Sequence, residues 1–186
     1  MHLTVDFETE RGISAVEKLV KITRGKLTVY VTGELLEQHA DKLDFLRKCD
    51  AQLHGYHHIP LAYETPEKQN LEISQAKRVY QNFFGFQPWG WRSPYLTFSH
   101  VTLRILHEKG FLWDSSYVHS PVTWLRRLQS PIYLIPIDSK GFNEKADTVL
   151  VHCYELTEPL LERIKRFSGK LHSHSELYAS RRRFFK

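Results

Sequence analysis

Three histidines fall within five positions in "LHGYHH" (53–58). His54 and His58 stand four apart, a spacing that lets two imidazole nitrogens meet one metal ion across a turn. Pairs at this spacing are also common as structural histidines, so the decision rests on what else converges there. Near the N-terminus, "TVDFE" (4–8) places Asp6 and Glu8 two apart in a strand-like run. Strand alternation sends both carboxylates to one side and Phe7 to the other. Two carboxylates on one face repel unless they share a cation or a proton. Pairing of one of them with Arg11 or Arg92 is the alternative. Beside two histidines, metal binding is the better reading, because two His and one carboxylate leave positions open for water and substrate.

Three further stretches carry candidate chemistry. In "WRSPY" (91–95), Arg92 either stacks on Trp89 or Trp91 or pairs with Asp6 and orients it. Pro94 would fix that loop, and Tyr95 would present its backbone N–H to the site. In "LVHCYE" (150–155), His152 follows an apolar run and is a candidate proton donor; a buried histidine with a satisfied ring is the alternative. Asp114 of "LWDSS" is the expected hydrogen-bond partner of that imidazole, which would fix its tautomer and raise its pKa. His57 is expected to point elsewhere, and His172 and His174 are read as tail residues.

These residues need elements to hold them. Strand-like runs at 3–7, 26–32, 51–55, 88–94, 111–116, 132–138 and 148–155 alternate with helical periodicity at 12–23, 34–48, 65–85, 99–110 and 157–169. Thr65 before Pro66 starts one helix and Gly85 ends it; Ser99 and Gly110 bracket another. Strands alternating with helices predict an α/β fold with a mainly parallel sheet. The regular alternation, with no GxGxxG turn, favours a barrel over a dinucleotide-binding sheet. In such folds chemistry gathers at the C-terminal ends of the strands. Asp6, Glu8, His54, His58, Arg92, Asp114 and His152 all fall there.

Length and composition bound the rest. With 186 residues, 41% hydrophobic and 25% charged, the chain suits one globular domain with a real core. The expected division is a barrel over residues 1–170 and a basic C-terminal tail over 171–186. Cys49 and Cys153 are too far apart in sequence for a CxxC motif and read as reduced thiols. No apolar run reaches the length of a membrane helix and no signal peptide is recognisable, so the expected location is cytoplasmic, at the inner face of the membrane if the tail engages it. The net charge of +5 is modest, and "ASRRRFFK" concentrates four basic residues beside two Phe. Such runs are usually solvated, but this one would suit a membrane face or a phosphate-bearing substrate. Elsewhere basic residues are interspersed with acids, which argues against nucleic acid as a partner.

In order, "TVDFE", "HGYHH", "WRSPY", "LWDSS" and "LVHCYE" resemble the five motifs of the polysaccharide deacetylase family, the NodB-homology domain. The match spans residues 4 to about 155. It implies a distorted (β/α)7-type barrel resembling a TIM barrel. It also implies one divalent metal ion, usually zinc, and removal of acetyl groups from N-acetylated sugars or glycan precursors. By this resemblance Asp6 is the catalytic base, His54 and His58 the metal-binding pair, and Arg92 the residue that orients the base. Tyr95 supplies the oxyanion N–H, Asp114 is a supporting acid and His152 the general acid. Trp91, with Trp89, Tyr95, Trp113 and Tyr117, is expected around the rim, where aromatic rings can stack on sugars, although many of them must belong to the core. One departure stands out: the family's first motif has two adjacent Asp, the second a metal ligand, and here Phe7 takes that place. Glu8 fits the variant in which the carboxylate lies one residue further on. The alternatives are a catalytically degenerate barrel that binds a glycan or partner, and a metal-dependent amidohydrolase acting on a small C–N substrate.

Overall fold

The structure is a computed structural model describing residues 1–118 and 130–182. The chain lays down β1 (His2–Phe7), α1 (Ile13–Thr23), β2 (Thr28–Val31), α2 (Gly33–Gln38), β3 (Asp50–Leu53), α3 (Pro66–Phe84), β4 (Gly90–Trp91), α4 (His100–Glu108) and β5 (Trp113–Asp114). Then follow β6 (Tyr133–Leu134), β7 (Ser139–Lys140), β8 (Thr148–His152), α5 (Glu158–Phe167) and α6 (His174–Arg182). Local signals explain several boundaries. Thr65 caps α3 by accepting from the Lys68 N–H, Pro66 enters at the first turn, and Gly85 closes the helix with φ 83°. Ser99 and Thr102 form a reciprocal capping box on α4.

Among the described residues the eight strands are all parallel, in the order β6-β5-β4-β3-β2-β1-β8-β7. This is the expected barrel-like α/β fold, with eight strands where the sequence suggested about seven. Only β6 falls inside "IYLIPID", and the extra strand, β7, begins just after it. Pro136 has no N–H to give a ladder, and the chain on either side of it joins opposite edges of the sheet, as β6 and β7. Eight flat strands would hold those edges about 34 Å apart. Residues 135–138 span at most about 17 Å, so the sheet must curl. The curl brings Arg92, just after β4, within 2.8 Å of both Thr4 and Asp6 on β1.

Alternation then sorts the side chains. Leu3, Val5 and Phe7 of β1 face the helices and join a core with Val16, Leu19, Leu161 and Ile164. His2, Thr4 and Asp6 face the interior of the curl. Each fully buried Leu or Val side chain contributes about 1.5–3 kcal/mol, so this outer layer holds the frame while the inner face stays polar.

Three expectations change. The helix read over 34–48 is α2 followed by short 3-10 turns, because His39 leaves helical geometry at φ −131°. The last strand stops at His152 and continues as a 3-10 turn, Cys153–Glu155. Residues 171–182, read as the start of a basic tail, instead close the N-terminal end of the barrel. His174 is fully buried and its Nδ1 meets the Tyr30 hydroxyl at 2.8 Å, while its N–H donates to Thr28 Oγ1. Ser175 donates to Asp50 through its N–H and its Oγ, and the Tyr178 ring packs on Trp113. The hydrogen bonds link residues more than a hundred positions apart, which no local pattern displays. The last four residues of the basic run lie outside the described residues.

Candidate active site

At the C-terminal ends of the strands a cavity of about 270 Å³ opens. Asp6, Glu8, His54, His58, Tyr95 and His152 all line it. Six of the expected site residues therefore converge.

Asp6 is held from the barrel interior. Arg92 is fully buried and its Nη1 donates to Asp6 Oδ1 at 2.8 Å. The same guanidinium donates to Thr4 Oγ1, to the Ser115 carbonyl and to Ser115 Oγ, each at 2.8 Å, and lies 4.2 Å above the Tyr30 ring centroid. A buried cation with this many satisfied donors is a rigid clamp. Asp6 Oδ2 remains towards the cavity, 3.7 Å from His54 Nε2.

His54 follows β3. Its Nδ1 lies 2.9 Å from the Arg92 carbonyl oxygen. A carbonyl only accepts, so Nδ1 carries the proton and Nε2 presents its lone pair. Burial lowers the pKa of His54 and keeps the ring neutral. Gly55 makes the turn to His58: its φ is +81°, and a Cβ there would lie 2.9 Å from the His57 carbonyl oxygen. His58 then faces His54 with ring centroids 5.2 Å apart, and burial pushes its pKa down to about 4. As expected, His57 points away; its Nδ1 and N–H bind Glu72.

Tyr95 sits beside this pair. Its ring, 63% exposed, lies 4.5 Å from the His58 ring. Tyr95 and Leu96 both have φ +56°, a left-handed backbone that costs bulky residues about 1–3 kcal/mol each. Among the described residues the Tyr95 N–H makes no hydrogen bond, which leaves it free to donate.

His152 pairs in register with Asp6 across β8 and β1. Its expected partner is corrected. Its N–H donates to Glu155 Oε2 at 2.6 Å and its Nδ1 lies 3.3 Å from the same oxygen. Asp114 is in register with Trp91, and Trp91 with Leu53. Paired residues of a parallel ladder share a face, so Asp114 belongs to the helix-facing side, opposite His152. There it accepts from the Ser116 N–H and Oγ, and Ser116 Oγ accepts from the Ser93 N–H. Asp114 thus supports the loop that carries Tyr95. Burial raises its pKa to about 7.

Trp91 is corrected for the same reason. It is fully buried on the helix-facing side, donates to Ser93 Oγ and meets the Phe111 ring edge-on. Adjacent strand residues face opposite ways, so an inward Arg92 already implied an outward Trp91. Trp113 and Tyr117 are also buried, and Trp89 lines a separate hollow with Phe86 at the other end of the strands. The residues that the sequence did not single out are Lys140, on β7, and Tyr154, whose exposed ring stacks on His152 at 5.0 Å. Tyr154 lay in the quoted "LVHCYE"; Lys140 lies in a stretch with no motif.

The donor chemistry suits a divalent cation in part. Two neutral imidazoles, one with its tautomer fixed by a carbonyl, face a cavity that also holds carboxylates. Yet among the described residues no three His, Cys, Asp or Glu side chains are placed to hold one ion. Glu8 is on the cavity side as alternation requires, with Phe7 buried against Phe45. Its Oε2, however, lies 3.9 Å from Cys153 Sγ. Burial, then the Asp6 charge, raises the Glu8 pKa to about 7.

A family model described as polysaccharide deacetylase matches residues 1–112. The peptidoglycan deacetylase of Helicobacter pylori is 25% identical over 120 residues, 63% of this chain and 41% of that protein. The chain spans less than half the length of this relative. A peptidoglycan deacetylase of Bacillus subtilis shares the fold with TM-score 0.69 and 16% identity, covering 98% of this chain and 92% of the other. A family 4 carbohydrate esterase from Bacillus anthracis does so with TM-score 0.71 and 18% identity, covering 96% and 82%.

Proposed function

This chain belongs to the polysaccharide deacetylase family, and from that premise we propose that it hydrolyses the acetamido group of an N-acetylated sugar in the cavity between Asp6 and His152. The observation that carries the reading is the convergence there of a clamped carboxylate, two neutral imidazoles, a free backbone N–H and a half-exposed histidine.

Asp6, fixed by Arg92, takes a proton from the attacking water through Oδ2. The new C–O bond forms as the carbonyl oxygen gains charge, and the Tyr95 N–H donates to it; one such donor is worth roughly 3–4 kcal/mol in comparable sites. His152 gives a proton to the departing nitrogen as the C–N bond breaks, yielding acetate and an amine. Glu155 orients the His152 ring from the opposite side. His54 and His58 would hold a divalent metal, zinc being the expected ion, with Glu8 as the third ligand if its side chain turns from Cys153. Such an ion polarises a carbonyl and acidifies bound water.

A second reading, sugar binding without turnover, draws on Phe7 and on the missing third donor. Acetate release from a panel of N-acetylated sugars, with elemental analysis of the wild type and of Glu8→Ala and His54→Ala, separates the two. About one ion per chain, lost in the variants, together with acetate release supports hydrolysis. Sugar binding with neither metal nor acetate release overturns it.

A further inference from the structure

Lys140 is the cation of the cavity that the mechanism leaves unused. It is the last residue of β7 and pairs in register with Leu150 of β8. Leu150 and Lys140 both line the cavity, two residues before His152 on the same face. Among the described residues the Lys140 ammonium has no ion pair or hydrogen bond. The neighbouring carboxylates are otherwise engaged: Asp6 by Arg92, Glu8 beside Cys153, and Glu155 by His152. Among the described residues β7 is an edge strand, and the Lys140 side chain is exposed.

An uncommitted ammonium on the wall of a sugar-sized cavity is positioned for an anion. Sheet geometry puts the Lys140 and His152 Cα atoms about 8 Å apart, a separation that one or two sugar rings bridge. We infer that Lys140 forms an anion subsite, and that the preferred substrate is an N-acetylated sugar carrying a carboxylate or phosphate near its acetamido group. Tyr154, exposed and lining the same wall, offers a ring face for the sugar between the two points. The inference rests on the deacetylase reading for its substrate class, and its test does not depend on turnover.

Calorimetric titration compares N-acetylglucosamine, N-acetylmuramic acid and N-acetylglucosamine 1-phosphate on the wild type, Lys140→Ala and Lys140→Arg. At least one anionic sugar should bind the wild type about tenfold more tightly than the neutral one, as expected for one charge-assisted contact. Whether the preference goes to the carboxylate or to the phosphate identifies the source of the anion. Lys140→Ala should lose the preference and Lys140→Arg should keep most of it. Equal affinities in the wild type, a preference that survives Lys140→Ala, or no saturable binding of either anionic sugar overturns the subsite. Anion preference without acetate release from any sugar overturns the deacetylase reading and leaves the subsite standing.

Discussion

Asp6 and His152 occupy paired positions on the neighbouring parallel strands β1 and β8, and both face one cavity. The pairing puts the proposed base and the proposed acid on a single rigid frame, one clamped from within by Arg92 and the other turned by Glu155. Sites built on strands hold their geometry better than sites built on loops.

Replacement of either residue should cost turnover, but only at His152 does chemistry separate from folding. His152→Ala should lower turnover by about 10²–10⁴-fold, the usual worth of a positioned proton donor, with little change in melting temperature because the ring is half-exposed. Asp6→Asn should lose turnover and also stability, since it leaves the Arg92 guanidinium buried without its anion. Initial rates of acetate release and thermal melts followed by circular dichroism check both; full turnover in either variant would sink the acid–base assignment.

Arg92 tests the clamp from the other side. Arg92→Met should cost about 3–5 kcal/mol by stranding the buried Asp6 carboxylate. Arg92→Lys keeps the charge but not the planar fork that reaches Asp6, Thr4 and Ser115 at once, and should recover only part of that loss. Urea midpoints, at unchanged m, measure both. Equal stability of Arg92→Met and wild type would contradict the description of a buried pair.

Phe7 stands where the motif resemblance implies a metal-binding carboxylate, but its ring is fully buried against Phe45. Phe7→Ala should cost about 3–5 kcal/mol through the cavity it leaves. Phe7→Asp should unfold the chain rather than add a ligand, because the new carboxylate would face the apolar layer. A soluble, folded Phe7→Asp protein that gains metal affinity would show that this strand can turn its faces over.

The Asp114 carboxyl, raised to about 7 by burial, gives a signed pH effect. Between about 4 and 7 the folded protein holds a proton that the unfolded chain has released, so this group's contribution to stability falls as pH rises. Glu8, also raised to about 7, acts in the same direction. His58, lowered to about 4, acts in the opposite direction, losing stability as pH falls below the usual histidine range. The difference between Asp114→Asn and wild type isolates one group: it should shift in favour of the variant from about pH 4 to 7 and level off above. A difference that stays constant across that range would mean the carboxyl is not held protonated.

The frame and most of the rim follow from local pattern. Apolar runs with period two, set between helical runs with caps, are local signals. They placed Asp6, Glu8, His54, His58, Arg92 and His152 at strand ends before any packing was known. Parity also settles Trp91, since an inward Arg92 obliges it to face out. Which residues meet is set by long-range packing. The partners of His152 and Asp114, the approach of Glu8 to Cys153, the entry of Lys140 into the cavity and the sealing of the barrel by α6 all join residues through the curl of an eight-stranded sheet. That curl depends on how β6 and β7 take opposite edges across Pro136. A hydrophobic pattern records which face of a strand is buried, but not which strand becomes its neighbour.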